Sequence, residues 1–434
     1  MAHRKPLRPR ADAGPSDHPR KFSPSDLTAP RDLELDPAQE IPRVTLRSVR
    51  KHTFLFRKLI GEVDERARPG DVVSVHTPQG ERLGYGLFNP RAEMTVRMLT
   101  FGERIPDRAF WRERLEQAVA LRRDLLRLSD DSDCCRLVHA EADGLSGLVV
   151  DQYGDVLSAE VFSLAMYQRA RVILSELAEV VGTKHTLIQL APQTHGQEGF
   201  LADPIRSPGL PRDVMVQEFG TKFRVRFEEG HKTGFFCDQR ENRRQVSEYS
   251  RGKSVLDLCC YSGGFAVQAA KLGQAKEVTG VDLDEQAIAV AKENARLNQV
   301  KVQFVHADAF GYMRDMLQNG RQYDVVVLDP PKLIRNRREI EEGTHKHFDL
   351  NRLAVQLVAP GGLFLTCTCS GLLGEEEFLR LVHDAARKPP TLGNVTREPR
   401  TLQLLAKTGA SEDHPVALDC PETEYLKAVW ARVL

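Results

Sequence analysis

From about residue 214 to the end of the chain, short apolar runs typical of strands alternate strictly with segments typical of helices. The strand candidates, rich in Val and Leu, lie at 253–260, 276–283, 302–308, 323–330 and 362–369. The predicted helices lie at 264–272, 285–298, 309–319 and 346–359. Near-continuous apolar strands separated by helices predict a parallel sheet covered on both faces. This part of the chain is therefore predicted to be a doubly wound α/β domain whose ligands bind at the carboxyl ends of the strands.

Length and composition restrict the class of protein further. At 434 residues the chain exceeds the usual domain length of ~100–200 residues, so we expect several domains. Hydrophobic residues make up 41% and charged residues 28%, which excludes a collagen-like, coiled-coil or wholly disordered chain. Lys and Arg together number 61, as do Asp and Glu. The overall charge therefore says nothing about a nucleic-acid partner.

The sequence also predicts where the protein works. No apolar run approaches the ~18–20 residues that cross a bilayer, and no apolar stretch follows the basic N-terminus, so we expect neither a membrane partner nor a secretory signal. The eight cysteines include the adjacent pairs Cys134–Cys135 and Cys259–Cys260, a spacing that suits neither a disulfide framework nor a zinc site. We therefore predict reduced thiols, a cytoplasmic location and no metal site.

Two regions precede the middle of the chain. Residues 1–40 are rich in Pro, Arg, Asp and Ser without hydrophobic periodicity, and are predicted to form a disordered tail, with an RNA-contacting arm as the alternative. Residues 41–105 contain short strand candidates separated by turns, which predict a small β-barrel. Those candidates lie at 72–76, 83–90 and 94–99.

A basic stretch opens this β-barrel. Residues 41–60 contain six cations and no acid. A cluster of this kind can follow a phosphate backbone, or it can be an ordinary solvated surface. The residues that we assign to RNA contact here are Arg43, Arg47, Arg50 and Lys51.

Residues 106–212 are predicted to form a small α+β middle domain. A helix with an apolar stripe is expected at about 107–128. Two strand candidates within 136–162, a helix at 166–182 and a strand at 185–191 follow it. This region contains no constellation of catalytic residue types, and its Gly and Asp residues are predicted to form turns.

A ligand-binding turn follows the first strand of the α/β domain. The strand carries Asp257, and residues 259–265 (Cys-Cys-Tyr-Ser-Gly-Gly-Phe) lead into the next helix. Adjacent Gly263 and Gly264 let the backbone approach a ligand where a Cβ would clash. The helix N-terminus then presents free N–H groups to polar ligand oxygens.

Acids also end the next two strands. Asp282, 19 residues beyond Gly263, is placed to accept hydrogen bonds from ribose hydroxyls, and Asp308 is placed to accept from an adenine amino group. A dinucleotide and S-adenosylmethionine both fit this layout, but the turn lacks the G-x-G-x-x-G pattern of dinucleotide sites. We therefore predict S-adenosylmethionine. The contacts predicted from the turn and the strand ends are Asp257, Tyr261, Ser262, Gly263, Gly264, Asp282 and Asp308.

The reaction site is predicted at the ends of the fourth and fifth strands. The fourth strand ends in Asp329-Pro330-Pro331-Lys332, where the prolines donate no hydrogen bond and leave carbonyls free to accept the amino group of a base. The fifth ends in Thr-Cys-Thr-Cys-Ser-Gly, which makes Cys369 a candidate nucleophile, although a buried cysteine is often only a small apolar side chain.

Cytosine C5 methylation explains a cysteine at this position. Cytosine C5 is too weak a nucleophile to attack a methyl sulfonium, but addition of a thiolate to C6 makes C5 enamine-like. Methylation of an adenine or guanine nitrogen needs no such thiol.

The chain resembles the RlmI-like ribosomal RNA cytosine-C5 methyltransferases, which combine a PUA domain, a strand–strand–helix–strand–strand (EEHEE) domain and a Rossmann-like methyltransferase domain. The resemblance covers about residues 43–434. The segments that carry it are RLVHAEADGLSGLVVDQYGD (136–155), GHKTGFFCDQRENR (230–243), LDLCCYSGGFAVQAA (256–270), VVLDPPK (326–332), TCTCSGLL (366–373), DHPV (413–416) and EYLK (424–427).

The resemblance implies three domains and specific roles. It implies a PUA-like RNA-binding domain at 41–105, an EEHEE-like domain at 106–212 and a methyltransferase domain at 213–434. Cys369 is then the nucleophile, Asp329 lies against the base and borders the cofactor, Lys332 contacts RNA and Arg240 holds its loop together. Further cofactor contacts implied in this way are His231, Lys232, Thr233, Gly234, Asp238 and Gln239.

Three functions remain open at this stage. The first is S-adenosylmethionine-dependent methylation of cytosine C5 in large-subunit (23S) ribosomal RNA through a Cys369–C6 adduct. The second is methylation of a guanine or adenine nitrogen in RNA, since Asp-Pro-Pro also serves amino groups. The third is a non-catalytic RNA-binding factor in ribosome assembly.

The family's first domain usually begins with His-Pro-Trp, whereas this chain has His52-Thr53-Phe54. A homodimer is a further expectation.

Overall fold

The computed structural model describes residues 22–227, 235–393 and 395–434. Three sheets follow one another along the chain, with six, five and seven strands. Two short antiparallel pairs accompany them. Among the described residues, no helix has the length and apolar character needed to cross a membrane.

Residues 22–40 pack against the body of the protein. Helix α1 (Pro24–Thr28) is capped by Ser23, whose hydroxyl accepts from the Asp26 N–H while the Asp26 carboxylate accepts from the Ser23 N–H. Leu27 and Leu33 are both buried in the core that lies under the middle sheet. The prediction of a disordered tail is therefore wrong for residues 22–40. Two leucines of this segment pack into the core of the middle domain, and such a contact cannot be predicted from the local composition.

The first sheet has the order β2-β6-β5-β4-β1-β3. Only β1 and β4 pair in parallel, and the other neighbours are antiparallel. The three strands predicted at 72–76, 83–90 and 94–99 are confirmed as β4, β5 and β6. The bounds are β1 Arg43–Leu46, β2 Phe54–Phe56, β3 Ile60–Val63, β4 Val72–His76, β5 Arg82–Phe88 and β6 Met94–Phe101.

The middle sheet has the order β11-β10-β9-β8-β7, and its core lies between the sheet and two helices. The helices of this region are α2 Arg108–Ala120, which continues as a π-helical turn to Leu125, α3 Leu164–Val181 and α4 Thr194–Glu198. The strands are β7 Cys134–His139, β8 Leu148–Tyr153, β9 Val156–Val161, β10 His185–Leu190 and β11 Ile205–Arg206.

The middle sheet contains more strands than the sequence predicts. Residues 136–162 form three strands instead of two, because the β8–β9 turn at residues 154–155 is too short to interrupt the apolar pattern. The parallel pair β9–β10 is joined by α3, as a crossover requires.

A hairpin of β12 (Asp213–Glu218) and β13 (Thr221–Arg226) connects the middle sheet to the last one. Asn294 and Asn298 cover its edge: Asn294 Oδ1 accepts from the Arg224 N–H at 2.8 Å, and Asn298 bonds both the N–H and the carbonyl of Lys222. These side chains satisfy backbone groups that a free edge would leave unpaired.

The last sheet has the order β16-β15-β14-β17-β18-β22-β21, with β14 to β18 parallel and β22 antiparallel to both neighbours. Apolar cores cover both of its faces. The helices of this region are α5 Arg240–Tyr249, α6 Gly264–Lys271, α7 Glu285–Leu297, α8 Ala309–Gln318, α9 Ile340–Ala354 and α10 Glu375–Arg387. The strands are β14 Ser254–Leu258, β15 Glu277–Asp282, β16 Gln303–His306, β17 Tyr323–Leu328, β18 Val358–Thr368, β19 Thr391–Leu392, β20 Val395–Thr396, β21 Leu402–Thr408 and β22 Lys427–Val433.

The alternation predicted from the sequence is confirmed in this sheet, with one displaced boundary. The helix predicted at 346–359 is α9, which begins six residues earlier, and β18 already begins at Val358. The sequence Pro360-Gly361-Gly362 looks like a break between helix and strand, but it lies inside β18, where the pairing with β17 is irregular. The strand order reverses between β15 and β17 on the two sides of β14, and a cleft forms at such a point.

Candidate active site

The carboxyl edge of the last sheet gathers four acids and a thiol. Asp257 lies within β14, Asp282 ends β15, and Asp308 follows β16. Asp329 and Cys369 directly follow β17 and β18. Because these five strands are parallel, their carboxyl ends meet at one edge, as predicted from the alternation.

Asp257 is fully buried and fastens β14 to the first turn of α6. Its Oδ2 accepts from the Ala266 N–H at 3.0 Å, while Oδ1 has no hydrogen-bond partner among the described residues. Burial raises the pKa of Asp257 to about 8, and repulsion by Asp329 and Asp282 adds to this rise. A buried acid oxygen without a hydrogen-bond partner, at the carboxyl edge of a parallel sheet, is typical of a binding site.

The turn between β14 and α6 bends through left-handed backbone at Cys259, Tyr261 and Gly263, with φ values of 61°, 47° and 80°. A Cβ at Gly263 would lie 2.9 Å from Phe304 Cζ, and one at Gly264 would lie 2.9 Å from Arg243 Cδ. Close packing inside the protein therefore requires both glycines. The contact of these glycines with a ligand stays a prediction, and their absent side chains also serve the protein's own packing.

Asp282 holds the same turn from the neighbouring strand. Its Oδ2 accepts from the Tyr261 N–H at 2.8 Å, and its Oδ1 accepts from the Asp284 N–H at 2.9 Å. A carboxylate has further lone pairs, so these bonds leave it able to accept from a ligand. Asp308 caps α8 by accepting from the Gly311 N–H at 2.8 Å, and its side chain is exposed at the edge. Ser262 is buried in the turn, where its carbonyl accepts from Asn294 Nδ2.

Asp238 and Gln239 lie just before α5, facing the same edge. Asp238 Oδ2 accepts from the Tyr425 hydroxyl at 2.6 Å, and Gln239 Oε1 accepts from Asn242 Nδ2 at 2.6 Å. The four other cofactor contacts predicted near them lie outside the described residues: His231, Lys232, Thr233 and Gly234.

Arg240 anchors this segment through a buried ion pair. Its guanidinium donates two hydrogen bonds to the Asp413 carboxylate, at 2.8 and 3.1 Å, and both side chains are buried. The wider role predicted for Arg240, holding its loop together, stays a prediction, because residues 228–234 lie outside the described ranges. Asp413 also accepts from the Arg136 N–H at 2.7 Å, and its carbonyl accepts from Arg122 at 2.8 Å, so the pair joins the middle domain to the last sheet.

The turn that carries Cys369 is fixed on both sides of the thiol. Thr368 Oγ1 lies 3.1 Å from His347 Nε2 on α9 and accepts from the Ser370 N–H at 3.2 Å. Ser370 Oγ in turn accepts from the Ile334 N–H at 3.2 Å, which couples the turn to the loop after β17. Cys369 itself is half-buried, which leaves part of its surface open to the edge.

The other thiol near the end of this strand, Cys367, is fully buried, whereas Cys369 is half-buried. Burial raises the pKa of Cys367 well above its usual value, and the neighbouring Asp329 raises it further. Asp329 donates its N–H to the Leu258 carbonyl at 3.3 Å, which brings the end of β17 against the end of β14. The structure therefore brings Asp329 and Cys369 to the same part of the edge as the acids, as predicted.

Comparison with known proteins gives the family. Two family models match: an S-adenosylmethionine-dependent methyltransferase over residues 207–404 and a PUA-like domain over residues 43–101. The ribosomal RNA large subunit methyltransferase I of Aliivibrio fischeri strain MJ11 is 33% identical over 402 residues, which cover 89% of this chain and 96% of that protein. The protein of that name from Aeromonas salmonicida strain A449 is 35% identical over 401 residues, with 88% and 96% covered. The chain belongs to the ribosomal RNA large subunit methyltransferase I family.

Solved structures agree with this assignment at the level of the fold. A structure described as a methyltransferase complexed with S-adenosylhomocysteine has a TM-score of 0.73 at 20% identity, covering 90% of this chain and 99% of that one. A protein from Streptococcus mutans described as an S-adenosylmethionine-dependent methyltransferase also has a TM-score of 0.73, at 18% identity, covering 91% and 100%. The predicted fold class is confirmed: a PUA-like domain comes first in the chain, and a class I methyltransferase domain of Rossmann-like architecture follows it.

The cofactor of this ribosomal RNA large subunit methyltransferase I family member is S-adenosylmethionine, as predicted. The residues at this edge fit this cofactor chemically, because acids can accept hydrogen bonds from its hydroxyl groups and attract its positive sulfonium. The unpartnered buried oxygen of Asp257 is the observation that supports this fit. The role of each predicted contact residue stays a prediction.

The residues predicted to contact RNA are all exposed in this family member. They are Arg43, Arg47, Arg50, Lys51 and Lys332. None of them forms an ion pair with an acid within the described ranges. The segment after β1 also approaches the methyltransferase domain, since His52 Nε2 lies 3.4 Å from Glu422 Oε1. The segment that follows the basic stretch therefore lies next to the segment that precedes β22.

Three residues at the edge were missed by the sequence reasoning: His347, Asp413 and Lys427. Asp413 and Lys427 lie in the DHPV and EYLK segments that carry the family resemblance, which was a usable signal. His347 had none, because its contact with Thr368 links α9 to a strand 21 residues away.

Proposed function

We propose that this protein methylates C5 of a cytosine in the 23S ribosomal RNA of the large subunit, through a covalent bond between Cys369 and C6 of the base. The names of the relatives support a large-subunit ribosomal RNA substrate. The PUA-like domain supports an RNA partner. The choice of C5 as the methylated atom rests on the position of the Cys369 thiol at the carboxyl edge of the sheet.

The observation that carries the proposal is the placement of the Cys369 thiol. It is half-buried at the carboxyl edge, on a turn held by Thr368 and Ser370, and next to the strand that ends in Asp329. Methylation of a base nitrogen has no use for such a thiol, whereas C5 methylation needs one. Cys367 serves this role poorly, because it is fully buried and its raised pKa disfavours the thiolate.

In the proposed reaction the target cytosine first leaves its stack to enter the cleft. The Cys369 thiolate adds to C6, forming a C–S bond and shifting the C5–C6 π electrons so that C5 becomes nucleophilic. S-adenosylmethionine, when bound, would supply the methyl group that C5 accepts, and breaking its methyl–sulfur bond would leave S-adenosylhomocysteine. Removal of the C5 proton then returns an electron pair to the ring and expels the thiolate. Asp329 or a water molecule is the proposed acceptor of that proton.

The residues around the thiol serve to position the base. The carbonyls of Pro330 and Pro331 have no proline N–H beside them, and we propose that one accepts the exocyclic amino group of the cytosine. Asp257, Asp282, Asp308, Asp238 and Gln239 are proposed to hold the cofactor beside it, with Tyr261, Ser262, Gly263 and Gly264 forming the turn against it.

A covalent trap tests the proposal. RNA carrying 5-fluorocytosine at the target should form a stable protein–RNA adduct in the presence of S-adenosylmethionine, because fluorine cannot leave as the proton does. The adduct, detected as a shifted band on a denaturing gel and by mass spectrometry, should persist in Cys367→Ala and vanish in Cys369→Ala. Cys367→Ala is the matched control, since it removes a thiol two residues away on the same strand.

Other outcomes would contradict parts of the proposal. An adduct lost in Cys367→Ala but retained in Cys369→Ala would move the nucleophile to the other thiol. Methylation that continues in Cys369→Ala, with no adduct in any variant, would favour a guanine or adenine nitrogen as the target. A failure to bind S-adenosylmethionine in isothermal titration would favour a non-catalytic role in ribosome assembly.

A further inference from the structure

Lys427 lies on the strand next to the turn that carries Cys369. It is the first residue of β22 and pairs with Thr368, the last residue of β18, in the antiparallel register. Its Nζ donates to the carbonyl of Ser370 at 3.5 Å. The residue is only 6% exposed, although lysine is among the residues least often buried.

The thiol of Cys369, between Thr368 and the Ser370 carbonyl that Lys427 contacts, stands in an acid-rich part of the protein. Burial raises the pKa of Cys367, with Asp329 adding to the rise. Burial also raises the pKa of Cys259, and there Asp282, Asp329 and Asp257 add to it. A thiolate at this edge is therefore opposed by several carboxylates, and it needs a nearby cation to form at neutral pH.

Most other buried cations of this region already have anionic partners. Arg240 pairs with Asp413, and Arg243 pairs with Glu218 through bonds of 2.6 to 3.0 Å. Lys332, in the loop after β17, is exposed to solvent, which screens its charge. Within the part of the chain that the structure describes, Lys427 is the buried cation placed against the Cys369 turn.

The groups that face Lys427 come from four segments. Glu424 precedes β22, Glu375 opens α10, Lys332 follows β17 and Cys369 follows β18. Burial lowers the pKa of Lys427, attraction to Glu424, Cys369 and Glu375 raises it, and repulsion by Lys332 lowers it. Glu375 is itself paired with an exposed lysine of β21, Lys407. Cys369 is therefore an anion, when ionised, that Lys427 can stabilise.

We propose that Lys427 is a positioning residue for the nucleophile: its ammonium stabilises the thiolate of Cys369 and its bond to Ser370 fixes the turn. In this role the thiol proton leaves to solvent, and the ammonium keeps its own protons throughout. The inference rests on the proposed function, since it assigns Lys427 to the thiol that attacks C6.

The experiment follows ionisation of the thiol directly. The rate at which iodoacetamide alkylates Cys369 is measured from pH 6 to pH 10, with fragment-ion mass spectrometry to separate Cys369 from Cys367. In Lys427→Met the pH midpoint of alkylation should rise by about one unit, a tenfold loss of thiolate at pH 7. Lys427→Arg should keep the midpoint of the parent protein. Lys301→Met, which removes an exposed lysine two residues before β16, is the matched control and should also keep it.

A second readout separates charge stabilisation from a structural role. Methylation by Lys427→Met in single turnover should fall about tenfold at pH 7 and recover toward the parent rate near pH 9, where the thiol ionises without help. A variant damaged only in its structure would not be rescued by pH. If Lys427→Met does not fold, as judged by its thermal melting, Lys427→Gln gives the same test with a polar side chain.

The result that would overturn the inference is an unchanged alkylation midpoint in folded Lys427→Met or Lys427→Gln. This outcome is distinct from failure of the proposed function. A raised midpoint without any 5-fluorocytosine adduct in the parent would reject the cytosine reaction and leave the Lys427–Cys369 interaction standing. An adduct in the parent together with unchanged midpoints would reject the role of Lys427 alone.

Discussion

At the scale of single residues, Asp257 is a buried acid whose ionisation changes near neutral pH. Its folded-state pKa of about 8 lies above the usual value of 3.8, because the side chain is buried and faces Asp329 and Asp282. A raised pKa means that the folded protein holds the proton more tightly than the unfolded chain does. The stability from this group is complete below about pH 4 and is lost as the pH rises through 8.

Replacing Asp257 by Asn should therefore flatten the pH dependence of stability. Asn keeps an oxygen that can accept from Ala266 and cannot ionise. Between pH 5 and pH 8 the parent should lose up to about 4 kcal/mol relative to Asp257→Asn, at ~1.4 kcal/mol per unit of pH. Thermal melting of both proteins at pH 5, 6.5 and 8 measures this. Melting temperatures that run parallel over the range would show that Asp257 does not titrate there.

Asp282 is predicted to bind the ribose of the cofactor. Asp282→Ala should weaken S-adenosylmethionine binding by about 1.5–3 kcal/mol, the usual cost of losing hydrogen bonds to a charged group, as measured by isothermal titration. Asp284→Ala is the matched control two residues away, since Asp284 caps α7 through Gln286 and Ala287. It should cost about 1 kcal/mol of stability without changing the affinity. Equal affinities for Asp282→Ala and the parent would place the ribose elsewhere.

At the scale of elements, the loop after β17 presents a compact set of cations next to the reaction edge. Ile334 is fully buried and its N–H bonds to Ser370, so the middle of the loop is fixed. The side chains around it are exposed, and none pairs with an acid of the described residues: Lys332, Arg335, Arg337 and Arg338.

This loop and the basic stretch of the PUA-like domain should both contribute to the salt dependence of RNA binding. Replacing Arg335, Arg337 and Arg338 by Ala should reduce the slope of log affinity against log salt by about 0.7–0.9 for each phosphate contact that is lost. Charge reversal at Arg43, Arg47, Arg50 and Lys51 should flatten the slope in the same way. Filter binding from 50 to 300 mM salt compares the two variants. A slope unaffected by the second set would make that stretch an ordinary solvated surface.

The helices and strands that could be predicted from the sequence are those determined by their own residues. The strands β14 to β17 and the helices α6 to α8 have their own apolar patterns and turn residues, so their positions and the gathering of Asp257, Asp282 and Asp308 at one edge could be predicted. The irregular entry into β18 could not, because it depends on pairing with β17. Lys427 and His347 were missed for the same reason, since each contacts the Cys369 turn from a distant segment.

At the scale of the whole molecule, a buried charged network ties the middle domain to the methyltransferase sheet. Arg122, which follows α2, and Arg136 of β7 both donate to Asp413, which also receives two bonds from Arg240. Burial alone would raise the pKa of Asp413, but attraction to His414 and Arg240 holds it well below its usual value. The carboxylate therefore stays ionised and binds both the Arg136 N–H of β7 and the Arg240 guanidinium of α5, while Arg122 binds the main-chain carbonyl of Asp413.

Asp413 should accordingly be critical for the stability of the assembled domains. Asp413→Ala leaves the guanidinium of Arg240 buried without its partner, and breaking such a pair costs roughly 3–5 kcal/mol. Because α5 begins at Arg240, directly after Asp238 and Gln239, cofactor affinity should fall together with stability. Scanning calorimetry should show the methyltransferase transition at a lower temperature in Asp413→Ala, while the exposed neighbour Glu412→Ala melts like the parent. If both variants melt alike, the network contributes no net stability, and the contact between the domains must depend on their apolar packing.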